Sequence, residues 1–164
     1  MSNYLSIETS PDFEERYPDS SATATECAMN LVLTADLIEK RITSLLQPFN
    51  LSPATGLVLS ILANSKTPIS PNNIADQLII SRASVTSLLD SLEKRAFVKR
   101  QPHHSDRRMI LVELTDSGRQ VANQFRPVVH QHEKLWLNAL TEEEQEQLIE
   151  TLRRLQASLK DASR

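Results

Sequence analysis

The sequence predicts a mainly α-helical fold carrying one small β-hairpin, and three observations predict it. Apolar residues recur at three- and four-residue steps over most of the chain, the signature of amphipathic helices. Two Ser-Pro pairs, Ser52-Pro53 and Ser70-Pro71, set a capping hydroxyl before a proline suited to the first helical position. One interval breaks the helical period: Ala96-Phe97-Val98 and Met109–Leu114 frame a polar stretch, as two strands around a charged loop would.

Residues 1–21 show no period and hold Pro11, Pro18 and five acidic side chains, so a loose arm is expected there. From Thr23 onward Ala28, Leu31, Ala35, Ile38, Ile42 and Leu45 form one stripe along a helix ended by Pro48. Leu57, Ile61 and Leu62 supply the expected inner face of a second helix, and Ile74 and Leu78 that of a third. The turn Ile79-Ile80-Ser81 leads into a fourth, where Val85, Leu88, Leu89 and Leu92 face inward while Ala83, Thr86, Ser87, Asp90 and Lys94 face out. After the hairpin, Thr115 caps a helix with Val121, Phe125, Val128 and Val129 inside and Pro127 expected to bend it. Thr141 with Glu144 is a capping box for a last helix striped by Leu148, Leu152, Leu155 and Leu159.

The stripes of the first long helix and the last have no obvious cover within the small middle unit. A two-fold homodimer in which these helices interdigitate is the economical solution. The expected organisation is therefore an arm at 1–21, a helical dimerisation region at 22–48 and 115–162, and a winged helix-turn-helix DNA-binding region at 52–114.

The chain has a formal charge of −3, but the charge is unevenly spread. Between Ser81 and Leu111 seven basic residues face three acidic ones, whereas the remainder carries 11 basic and 18 acidic side chains. An acidic body with a basic patch suits contact with nucleic acid through one face. Two helices joined by a tight turn, the second exposing short polar groups and followed by a hairpin with paired arginines, make a winged helix-turn-helix. Ser84, Thr86 and Ser87 are short enough for close approach to base edges in the major groove, and Arg82 can reach bases or phosphate. Asp90 would be repelled by DNA and is assigned to holding an arginine in place. Ser81, Lys94, Lys99, Arg100, His103 and His104 are candidates for backbone contacts.

The stretch SRASVTSLLDSLEKRAFVKRQPHHSDRRMILVELTDSGR resembles the recognition helix and wing of the multiple-antibiotic-resistance regulator (MarR) family, and the likeness extends more loosely over Thr23–Leu159. Its most specific element is Asp106-Arg107-Arg108 followed by Leu114-Thr115-Asp116-Ser117-Gly118. The resemblance implies that Arg108 enters the minor groove, that Asp106 orients it, and that Ser81 to Ser87 form the major-groove end of the recognition helix; Arg107 is taken as a phosphate contact. It further implies a dimer on palindromic double-stranded DNA, acting as a repressor released by a small aromatic or phenolic effector held between the dimer region and the DNA-binding lobe. No convergent polar set for such a pocket is visible in the sequence. Family members usually carry glycine at the position of Ala96, where a left-handed cap would cost alanine about 1 kcal/mol.

Other functions are weighed on particular residues. Cys27, the single cysteine, raises a thiol-based oxidant sensor, but the first long helix has no tyrosine to depress its pKa, and a structural or interface thiol is favoured. His130 and His132 stand two apart on a helix and do not converge on a metal, so neither a metal nor another cofactor is expected. With only Gly56 and Gly118 the chain has no phosphate-cradling loop, and no catalytic motif occurs, which argues against an enzyme. A winged module that binds protein rather than DNA is separated from the regulator by the Asp106–Arg108 pair. The acidic first twenty residues hold no apolar leader, so no membrane partner and a cytoplasmic location are expected.

Overall fold

The computed structural model describes residues 7–103 and 109–161. A single turn, α1 (Phe13–Arg16), precedes the long α2 (Ala22–Leu46), which runs through a 3-10 turn (Gln47–Phe49) into α3 (Pro53–Asn64). Then follow α4 (Pro71–Leu78), α5 (Arg82–Lys94), the hairpin strands β1 (Val98–Pro102) and β2 (Ile110–Leu114), α6 (Asp116–Leu137) and α7 (Glu142–Asp161).

The helix starts follow their local chemistry. Ser52, Ser70, Ser81 and Thr115 each sit at an N-cap and accept the amide three residues on. Thr141 and Glu144 exchange bonds reciprocally: the Thr141 amide donates to the Glu144 carboxylate at 2.7 Å and the Glu144 amide to the Thr141 hydroxyl at 3.2 Å. These bonds to the amide and hydroxyl of Thr141 hold the Glu144 carboxyl below its ordinary value. Pro127 lies within α6, which continues across it.

The core belongs to the middle of the chain. Val58, Leu59 and Leu62 of α3, Ile74 of α4, Val85, Leu89 and Leu92 of α5, and Val98 and Val112 of the hairpin are buried together with Ala122 and Phe125 of α6. The expected inner face of α3 is thus rotated: Leu57 is 54% exposed, and Val58 and Leu59 take the core positions. The strands pair antiparallel from Val98↔Leu114 to Pro102↔Ile110. On the other edge of β2, Ile69 and Val112 exchange both backbone hydrogen bonds, at 3.0 and 2.8 Å, so the hairpin is fastened to the segment that leads into α4.

Within the stretch expected as a loose arm, Ile7 and Thr9 bond to α2. The Ile7 amide donates to Asn30 Oδ1, whose Nδ2 donates back to the Ile7 carbonyl, and both the amide and hydroxyl of Thr9 donate to the Glu26 carboxylate at 2.8 and 2.7 Å. Ile7 and Thr9 are thereby held on α2, because Glu26 and Asn30 lie one helical turn apart on the same face. The Thr9 amide and hydroxyl lower the Glu26 pKa.

At the two ends of the chain the apolar stripes stay uncovered. No residue of α7 is buried, with Leu148, Leu155 and Leu159 exposed, and α2 buries only Leu46 while Met29, Leu31, Leu37 and Ile38 remain exposed. Among the described residues no single helix is both long and apolar enough to cross a membrane.

Candidate nucleic-acid interface

The geometry of the α4–α5 unit begins at its turn. Ile79 ends α4 in the left-handed region, at φ 55°, and the Ile80 amide closes back on the Ala75 carbonyl at 3.2 Å. A β-branched residue is strained there, and the compensation is the tight turn that brings Ser81 into position to cap α5. Ser81 Oγ accepts the Ser84 amide at 3.1 Å and lies 2.8 Å from Ser84 Oγ. The buried Val85, Leu89 and Leu92 hold one face of α5 on the core, which leaves Arg82, Ala83, Ser84, Thr86 and Ser87 exposed on the other.

The hydroxyls on that face are already oriented. Thr86 Oγ1 donates to the Arg82 carbonyl at 3.0 Å and Ser87 Oγ to the Ala83 carbonyl at 3.2 Å. With their protons turned into the helix, both oxygens keep lone pairs for an external donor, such as an adenine or cytosine amino group. Arg82 and Lys94 form no ion pair among the described residues.

Several basic residues of this region are paired within the fold. Arg100, a candidate backbone contact, is braced by two carboxylates: its Nη2 lies 2.7 Å from Asp90, its Nη1 2.6 Å from Glu93, and its side chain is 26% exposed. Asp90 therefore does hold an arginine, and the pair ties β1 to the outer side of α5. Lys99 is bridged to Glu113, its register partner across the hairpin, at 3.0 Å. Arg95 turns inward, with Nη1 donating to the Asn50 carbonyl at 2.6 Å and Nη2 to the Phe49 carbonyl at 2.8 Å. The His103 amide donates to the Met109 carbonyl at 2.8 Å, the last described rung of the hairpin. His104, Asp106, Arg107 and Arg108, the expected wing tip, lie outside the described residues.

Ala96 takes the left-handed conformation, φ 56°, at the exit from α5. The chain thus follows the path that glycine would favour and accepts the strain, about 1 kcal/mol. Two bonds from Thr115 fasten the turn to the start of α6: Thr115 Oγ1 donates to the Ala96 carbonyl at 2.6 Å and the Thr115 amide to the Phe97 carbonyl at 3.1 Å. Gly118 packs against the same carbonyl so closely that a Cβ on it would lie 1.9 Å from Phe97 O.

A second feature is a cleft of about 140 Å³ between α2, α3 and α6, walled by Ile42, Leu46, Leu57, Phe125 and Val129. Arg126, His130 and Glu133 converge at its mouth, and this is the polar set not recognised in the sequence. Their spacing of four and three residues on one helix is the signal that could have revealed it. His130 Nδ1 pairs with Glu133 at 2.9 Å. The Arg126 guanidinium donates one Nη to Asn64, while its Nε is buried without a partner among the described residues.

Cys27 is exposed on α2, with no hydrogen-bond partner among the described residues. His132 Nδ1 donates to the Val128 carbonyl, whereas His130 faces Glu133, so the two imidazoles take different partners.

The sequence model of the MarR family matches residues 51–110, which hold α3, α4, α5 and the hairpin. The HTH-type transcriptional regulator PecS of Dickeya dadantii (strain 3937) is 30% identical over 125 residues, 75% of either chain. The chain belongs to the MarR family. As a member of this family it is a helix-turn-helix transcriptional regulator. Solved MarR-type folds superpose on it at low identity. The S. aureus MepR–DNA complex matches with a TM-score of 0.75 and 23% identity, over 80% of this chain and 96% of that one. CouR from Rhodococcus jostii RHA1, bound to p-coumaroyl-CoA, matches with a TM-score of 0.75 and 20% identity, over 83% and 95%. These likenesses carry the winged-helix fold.

Proposed function

We propose that this MarR-family chain is a homodimeric repressor that binds palindromic double-stranded DNA and is released by a small molecule in the α2–α3–α6 cleft. The observation that carries the DNA reading is the split of α5: Val85, Leu89 and Leu92 are locked in the core while the Ser81–Ser87 end stands clear, with its hydroxyls pre-oriented. Arg82, Ser84, Thr86 and Ser87 are assigned to the major groove, and Arg108, oriented by Asp106, to the minor groove. Arg107 and Lys94 are assigned to phosphates. Arg100 and Lys99 serve instead to hold the wing on α5 and to pair its strands.

Dimerisation through residues 22–48 and 115–162 is supported by the bare apolar stripes of α2 and α7, surfaces of the kind that an isolated chain seldom leaves in water. Ligand response is supported by the cleft itself. Its walls are apolar, and its mouth carries a guanidinium with a spare buried N–H, which suits a flat ring bearing an acceptor or anionic group. CouR was solved with p-coumaroyl-CoA bound, which fits a ligand-responsive regulator.

The test is selection of bound fragments from random double-stranded DNA with the purified full-length protein, followed by fluorescence anisotropy on the enriched sequence. An imperfect palindrome with half-sites centred about one helical turn apart is expected. Failure to enrich any sequence, or enrichment of a single unrepeated site, would refute the assignment.

A further inference from the structure

Arg95 belongs by sequence to the basic patch, yet its charge faces away from the exposed end of α5. It is the C-cap residue of that helix, and its guanidinium lies 4.4 Å over the Phe97 ring while it donates to the carbonyls of Phe49 and Asn50. Those two carbonyls lie at the very end of α2 and its 3-10 turn, where a helix leaves its last acceptors unpaired and its dipole negative. Both conditions favour a cation, and only the arginine fork satisfies two adjacent acceptors at once. Among the described residues these are the only hydrogen bonds that join residues 47–52 to α5.

The acceptor side of this link is itself anchored. Phe49 packs edge-on against Phe125 with ring centroids 6.1 Å apart, and Phe125, together with Leu46, walls the cleft. A continuous line of contact therefore runs from α2 and α6, through Phe49, to Arg95 and the end of the recognition helix.

We infer that Arg95 is a positioning residue that fixes the angle of α5 against α2, and so sets the half-site spacing that the dimer accepts. The inference rests on the DNA-binding reading above. With two copies of α2 held together in a dimer, each recognition helix is aimed from its own α2. A strut with two short hydrogen bonds allows one aim, whereas a single flexible contact allows several.

The test uses the palindrome selected by the wild-type protein and two derivatives in which the half-sites are one base pair closer or farther apart. Arg95→Lys keeps the charge but reaches one acceptor at a time; Arg95→Gln removes the charge. Phe97→Leu withdraws the ring face beneath the guanidinium and leaves both donors in place. Wild-type protein is expected to prefer the selected spacing by about tenfold or more. In Arg95→Lys the preference should shrink to about threefold, with the slope of log affinity against log salt unchanged, and Phe97→Leu should move the same way by less.

Undiminished spacing preference in Arg95→Lys with a smaller salt slope would make Arg95 a phosphate contact and overturn the inference. Undiminished preference with only a lower melting temperature, or loss of folded protein in both Arg95 variants, would make it a stabilising residue and overturn it equally. Absence of sequence-selective binding by the wild type would instead remove the DNA reading, so the two failures are told apart.

Discussion

Replacing Gly118 by alanine should damage the junction between the wing and α6, and cost more than the same change at Gly56. Gly118 is the third residue of α6, buried, and its amide donates to Thr115 Oγ1 at 3.0 Å. A Cβ there meets the Phe97 carbonyl oxygen at 1.9 Å and its carbon at 2.8 Å, where real Cβ contacts essentially never fall below 3.0 Å. The obstacle is backbone, so no rotamer relieves it, and the two segments must part by about 1 Å. Parting them strains the bonds from Thr115 to the Ala96 and Phe97 carbonyls, each worth about 1 kcal/mol. Disturbed packing of Val98 and Leu114 adds about 2 kcal/mol. Alanine's better helix propensity returns at most about 1 kcal/mol. The net loss is about 3 kcal/mol, which for a chain of this length lowers the melting temperature by roughly 6–12 °C. Gly56→Ala is the internal control, because its Cβ would meet only the Leu46 Cδ1 methyl at 2.8 Å, the end of a side chain that can turn. That variant should melt within about 3 °C of wild type. Circular dichroism melts at one fixed protein concentration decide the matter. A Gly118→Ala protein that melts with wild type would refute the close-approach reasoning.

Other consequences are equally direct. Ala96→Gly should raise the melting temperature by about 2–4 °C, since it relieves a left-handed alanine at φ 56°. Glu144 has its pKa depressed by the Thr141 amide and hydroxyl, so its contribution is complete above the ordinary value of 4.5 and is lost as pH falls through the lower folded value. Glu144→Gln should therefore melt lower at neutral pH and show a smaller further drop on acidification, measured by melts from neutral to acid pH. Leu152→Asp, with a carboxylate in the α7 stripe, should give monomer or unfolded chain by equilibrium sedimentation; a stable dimer would contradict the proposed interface. Arg108→Ala should weaken DNA binding by about tenfold, most on sites with A·T-rich flanks, by anisotropy on paired duplexes.

Features determined within a few residues were legible in the sequence. Ser52-Pro53, Ser70-Pro71, Thr115 and the Thr141–Glu144 box mark helix starts because a cap needs only a hydroxyl and an amide three positions on. The hydroxyl-rich face of α5 was legible for the same reason, since helical period alone separates it from Val85, Leu89 and Leu92. The role of Asp90 could be stated as a type, a carboxylate holding an arginine, but not the identity of that arginine. Tertiary structure decided the rest. Whether a basic residue is free for phosphate depends on which acceptors packing brings near it: Arg100 meets Asp90 and Glu93 only because β1 folds back along α5, and Arg95 meets carbonyls 45 and 46 residues earlier in the chain. The docking of Thr9 on Glu26, the cleft between α2, α3 and α6, and the pressure of Phe97 on Gly118 are of the same kind. Each depends on surfaces far apart in sequence meeting at ångström distances, and side-chain period and capping chemistry carry no information about such meetings.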